Sequence, residues 1–221
     1  KKIGLTYGLS TLLDYIIYAQ TPEKWWMKWE GGDKSANTCS IARMAQQVEP
    51  GDVIVVNKSE QNVGDKLLTE LSQWDLDASH VMLVTNVDKE KWMITIAHST
   101  MNKLWTPGTQ WVEINVSLEE YCNQFQWIAI VALKPPVEVN KTQLVTTVLS
   151  KENAPYDSYA ALSEGVLRTN IVSNNGKYNC VELIAESFGS GVSTDIQSWS
   201  HPAQMIASLE PKYVTIAGNS I

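Results

Sequence analysis

A chain of 221 residues with 44% hydrophobic and 19% charged residues has enough apolar material for one globular core. Its net charge of −7 argues against binding nucleic acid, because phosphate contacts need a basic face. Three cysteines at unpaired spacings do not make a disulfide framework, and three histidines are few enough to weigh singly.

Residues 1–48 read as a mainly helical extension. Thr21-Pro22 interrupts an apolar segment, and Gly31-Gly32-Asp33 reads as a turn. The Trp25-Trp26-Trp29 cluster, beside Lys24 and Lys28, marks a candidate contact surface for assembly partners; a packed helix is the plainer account. The spacing of Ile41, Met44, Ala45 and Val48 predicts a short helix over 38–48. Cys39 has no nearby acid or histidine and reads as structural. The N-terminus is a poor signal peptide, so synthesis in the cytoplasm is expected, with a place in a virion or other particle as an alternative. No apolar run reaches the roughly 20 residues of a membrane span.

Pro50-Gly51-Asp52 is a turn entering a buried strand, Val53-Ile54-Val55-Val56. Residues 57–65 read as loop and 67–74 as short helix or irregular chain. A hairpin follows: strand 81–85, a turn at Asp88-Lys89-Glu90, and strand 92–97. A three-residue turn sets His80 directly across from His98, on a face shared with Met82, Val84, Ile94 and Ile96. A slip of one residue would separate the two rings.

Residues 101–107 read as loop, 111–116 as a strand, 117–126 as a helix capped by Ser117, and 127–133 as an apolar strand. Cys122 falls on an apolar helical face and reads as core. Residues 142–149 are helical, and Ala154-Pro155-Tyr156-Asp157 leads into a helix through Leu167. A short helix over 200–209 and a strand over 213–217 close the chain. His201, ahead of Pro202, reads as a helix-start residue.

The most informative stretch is Tyr178-Asn179-Cys180-Val181-Glu182-Leu183-Ile184. Asn179 is a good N-cap, and Glu182 can complete a capping box. Cys180, Leu183, Ile184 and Phe188 recur at helical spacing, and Gly189 is a stop. A thiol in a first helical turn is biased toward thiolate by the dipole and the unpaired N–H groups. The bland alternative is a buried core cysteine. Cys180, His80 and His98 together are the parts of a thiol catalyst. A zinc site from the same three residues is a weaker alternative, since no C-x-x-C or H-E-x-x-H spacing accompanies them.

Gly51-Asp52-Val53-Ile54-Val55, Ser79-His80-Val81-Met82-Leu83-Val84 and Ile96-Ala97-His98-Ser99-Thr100 resemble successive core strands of the NlpC-type cysteine peptidases. Here the cysteine helix follows the strands. That order is similar to the circularly permuted papain-like group, which includes the YiiX-like amidases and the lecithin:retinol acyltransferase relatives. Pro155-Tyr156-Asp157 followed by Cys180-Val181-Glu182-Leu183 looks like the YiiX-like signature. The resemblance covers about residues 50–190. Met82 departs from it by replacing a usual Gly, and His98 stands where the YiiX-like group often has Glu.

The resemblance implies an α+β, permuted papain-like fold in one domain, 1–221, with a catalytic core at 50–190. It implies a cofactor-free cysteine hydrolase that cleaves amides, with peptidoglycan stem peptides as first substrate. Cys180 would be nucleophile, His80 base and then acid, and His98 orienter, with the Cys180 N–H in the oxyanion hole. A lipid thioesterase or acyltransferase, or a structural component with this fold, are the alternatives. Bulky Met82 and Val84, and the net acidity, favour a peptide over a lipid.

Overall fold

The computed structural model describes residues 29–30, 41, 43–58, 80–101, 110–124, 127–157, 176–189, 192–193 and 202–218. The expectations for Trp25, Trp26, Cys39, the 67–74 segment, the helix through Leu167 and His201 lie outside them. The architecture is α+β. Its elements in chain order are β1 (Trp29–Glu30), β2 (Val53–Lys58), β3 (His80–Asp88), β4 (Met93–Met101), β5 (Gln110–Ser117), α1 (Leu118–Gln124), β6 (Trp127–Leu133), α2 (Lys141–Leu149), α3 (Cys180–Ser187), α4 (Pro202–Ser208) and β7 (Pro211–Gly218).

The strands form one sheet in the order β1-β7-β6-β2-β3-β4-β5. Strands β2 to β7 are antiparallel, and β1 runs parallel to β7. The helical reading of residues 1–48 is thus corrected at Trp29–Glu30, which pairs as a strand with Ala217 and Gly218.

The central strands carry continuous apolar runs, Val53 to Val56, Val81 to Val84 and Trp127 to Leu133, because both sheet faces are covered. Val53, Val55, Val81, Leu83, Val131 and Leu133 face one apolar cluster, together with Leu144 and Val148 of α2, Leu183 and Ile184 of α3, and Met205 and Ile206 of α4. Ile54, Val56, Met82, Val84, Ile130 and Ala132 face a second, together with Leu118, Tyr121 and Cys122 of α1. Ile41, Met44, Ala45 and Val48 are buried in that second cluster, as their spacing predicts.

Two bulges adjust the sheet near the histidines. The hairpin turn spans Lys89 to Trp92, one residue longer than expected, and Asp88 pairs with Met93. Trp92 therefore leaves the strand and is exposed, with φ 57°. Thr85 is then an extra residue in β3, so the ladder resumes at Val84–Ile96 and Leu83–Ala97. In that register His98 lies level with Met82, and His80 with Thr100. The directly opposed pairing expected from the sequence is corrected to a diagonal one. The shared face survives only because of Thr85; without it, His98 would be level with Leu83 and on the opposite face from His80. The second bulge lies in β5, where Asn115 adopts φ 59° between the pairs Ile96–Val116 and His98–Glu113.

Candidate active site

His80 opens β3, where Val56 of β2 pairs with it. His98 lies late in β4, opposite Glu113 of β5. Both imidazoles are buried, and His80 Nε2 lies 2.8 Å from His98 Nδ1. Buried rings hydrogen-bonded this closely hold one another's orientation, since an unmade bond there would leave a polar atom desolvated. Tyr121 of α1 fixes the pair from one side. It stacks on His80 at 5.6 Å between centroids and meets His98 edge-on at 5.3 Å. On the far side of His98, Nε2 is 3.4 Å from Glu113 Oε2. That is an electrostatic contact and not an aligned hydrogen bond.

Cys180 is the first residue of α3 and is half-buried. The cap forms as the sequence predicts. Asn179 Oδ1 accepts the N–H groups of Val181 at 2.9 Å and Glu182 at 2.8 Å. Glu182 Oε2 accepts the Asn179 N–H at 2.9 Å, completing the capping box. The cap thus takes the second and third N–H groups of the helix and does not use that of Cys180. Gly189, with φ 79°, follows the end of the helix, where a left-handed residue suits the terminus.

The segment entering α3 is held to the strands that carry the imidazoles. Ser99 Oγ, next to His98, donates to the Tyr178 carbonyl at 2.6 Å. Pro155 forms an isolated bridge with Trp111 of β5, and Tyr156 bridges Tyr178. The Tyr178 N–H donates to the Pro155 carbonyl at 3.0 Å, and the Asp157 N–H to the Tyr178 carbonyl at 3.2 Å. The Pro155-Tyr156-Asp157 motif is therefore a backbone splint between β5 and the cysteine loop.

Helix α3 packs against β3 and β4, with Val181, Leu183 and Ile184 in the first apolar cluster and Cys180 packed against it. Tyr121 belongs to the second. The structure brings His80 and His98 together with two groups that sequence reading missed, Tyr121 and Glu113. Tyr121 carried a weak signal, beside Cys122 on the apolar side of α1. Glu113 carried none, because its position depends on the Asn115 bulge.

A satellite of half-buried charge lies along α3. Lys151 Nζ sits 4.1 Å above the Tyr178 ring and 4.0 Å from Glu186 Oε2. Burial lowers the Lys151 pKa and raises those of Glu186 and Tyr178. Cys122 is buried in α1, and burial, reinforced by Glu119, pushes its thiol far above the ordinary range. Among the described residues, no group of three or more His, Cys, Asp or Glu is arranged to hold a metal ion. No helix among them is long and apolar enough to cross a membrane. A scan against protein-family models finds no match to this chain, and no curated protein matches it.

Proposed function

We propose that the chain is a cysteine hydrolase of amide bonds with a permuted papain-like fold. In this reading Cys180 is the nucleophile, His80 the general base and then acid, and His98 the orienter. The supporting observation is the buried 2.8 Å bond between His80 Nε2 and His98 Nδ1. That bond engages Nε2 of His80, so proton transfer with the thiol falls to Nδ1. The Ser99–Tyr178 bond, one residue from His98 and two from Cys180, ties the cysteine loop to the strand that carries His98.

In the reaction His80 Nδ1 takes the Cys180 proton, and Sγ attacks the amide carbonyl carbon. The Cys180 N–H, which the resemblance places in the oxyanion hole, receives the oxyanion. His80 returns the proton to the leaving amine, and water attacks the thioester in a second step through the same base. Peptidoglycan stem peptides are the first substrate class. The test is labelling of Cys180 by a mild electrophile, followed by an assay of wild type and Cys180→Ala on purified peptidoglycan. Peptide release that depends on Cys180 supports the reading. Cys180-dependent turnover of acyl thioesters or phospholipids with no peptide cleavage reassigns the substrate to lipid. Turnover of neither points to a structural component.

A further inference from the structure

We infer that Glu113 is a positioning residue that sets the tautomers of both histidines, a role that rests on the proposed use of His80 as base. A carboxylate accepts and never donates, so the 3.4 Å approach of Glu113 Oε2 to His98 Nε2 favours a proton on that nitrogen. In the neutral His98 ring Nδ1 is then an acceptor. The 2.8 Å contact between His98 Nδ1 and His80 Nε2 consequently requires the proton on His80 Nε2. Neutral His80 is left with its lone pair on Nδ1, the atom assigned to the thiol. One charge at the outer end of the row thus determines which nitrogen of the inner ring is basic, as an outer-shell carboxylate does for a ligating histidine.

The strand geometry that supplies Glu113 is local and specific. Ile96 pairs with Val116, and an unbroken ladder would continue to put Ile114 beside His98. Asn115 inserts as the extra residue, in the left-handed conformation that asparagine tolerates better than most side chains. The effect is visible in the packing. Val112 and Ile114 face the first apolar cluster, whereas Val116, beyond the bulge, faces the second. Glu113 therefore lies on the His98 side of the sheet, with its side chain 25% exposed against 2% for His98. A carboxylate so placed keeps part of its hydration while it acts on a buried ring.

The experiment is nitrogen-15 NMR of the full chain labelled at histidine, at about pH 8 where histidine rings are ordinarily neutral. The chain has three histidines, so two-bond nitrogen–proton correlations identify each tautomer. Wild type should show His80 and His98 both protonated at Nε2. Glu113→Ala should turn the single His98 signature into a tautomer mixture, and Glu113→Asp should restore it. A wild-type His98 protonated at Nδ1, or a Glu113→Ala spectrum unchanged at both rings, overturns the inference. The wild-type spectrum alone decides the case should Glu113→Ala fold poorly. Cys180 alkylation is followed in parallel. It should slow in Glu113→Ala by about 10-fold near neutral pH and shift its profile upward. Tautomers that respond as expected while alkylation does not change would uphold the role of Glu113 and sink the hydrolase reading, so the two failures are distinguishable.

Discussion

Two buried polar groups on neighbouring strands show opposite designs. Asp52, at the entry to β2, is fully buried and surrounded by compensating charge. Lys141 Nζ lies 2.7 Å from its Oδ1, Lys212 Nζ 3.0 Å from its Oδ2, and the Glu49 N–H donates to Oδ2 at 2.8 Å. This cluster pins the chain before β2 to α2 and β7. The histidine row has two contacts in sequence, with direction: Glu113 to His98 Nε2, then His98 Nδ1 to His80 Nε2. A closed cluster holds charge in place and suits a staple. A directional row passes an orientation to its last atom and suits a base.

The largest effect should come from the row. On the proposed hydrolase reading, His80→Ala should lower Cys180-dependent turnover by about 10²–10⁴-fold, the usual contribution of a positioned base. Its stability cost, from leaving His98 Nδ1 without its bond, should stay near 1–3 kcal/mol. Cys122 should remain unreactive in both forms, since burial disfavours its thiolate. Urea titration and alkylation followed by peptide mapping check both halves. A variant that loses stability but keeps the full reactivity of Cys180 would make the row a second staple.

Asp52→Ala should do the reverse. Removing the shared anion leaves Lys141 and Lys212 facing one another near Glu49, and breaking such a buried group costs about 3–5 kcal/mol. Alkylation of Cys180 in the folded fraction should not change. Gly51→Ala tests the same staple sterically. Gly51 has φ 91°, and an added Cβ would lie 2.7 Å from Lys141 Cβ. About 1–3 kcal/mol is expected by urea titration, and a neutral result would mean α2 can shift away freely.

The difference between the two groups was only partly legible in the sequence. The apolar runs at Val53 and Trp127, the cap at Asn179 and the stop at Gly189 are local signals, and the elements formed where those signals placed them. The shared face of His80 and His98 was also legible, but its route was not. A longer turn and the Thr85 bulge shifted the pairing by two residues, and an even shift preserves the face. Asn115 left no comparable trace. Alternation over Trp111 to Val116 reads as one unbroken strand, so Glu113 showed no reason to meet His98. The Asp52 cluster was illegible for another cause: Lys141 and Lys212 are 89 and 160 residues away and meet it only through the sheet order.

The smallest effect belongs to the rim of the staple. The hydrogen bond from Lys141 holds the Glu49 carboxyl below its usual range, with Lys212 adding to it. A carboxylate whose folded pKa is depressed stabilises the fold above its unfolded value, near about 4.3, and loses that contribution as pH falls through the folded value. Its side chain is 56% exposed, so solvent screening limits the contribution to a few tenths of a kcal/mol, at most about 1. Glu49→Gln should therefore be slightly less stable than wild type at about pH 6, with the gap closing as pH falls through the depressed folded value and narrowing in high salt. Buried Asp52 should show a far larger loss in Asp52→Ala under the same neutral conditions. A Glu49→Gln gap as large as that one, or a gap that ignores both pH and salt, would mean that Glu49 is part of the sealed staple and that the boundary between rim and centre is misplaced.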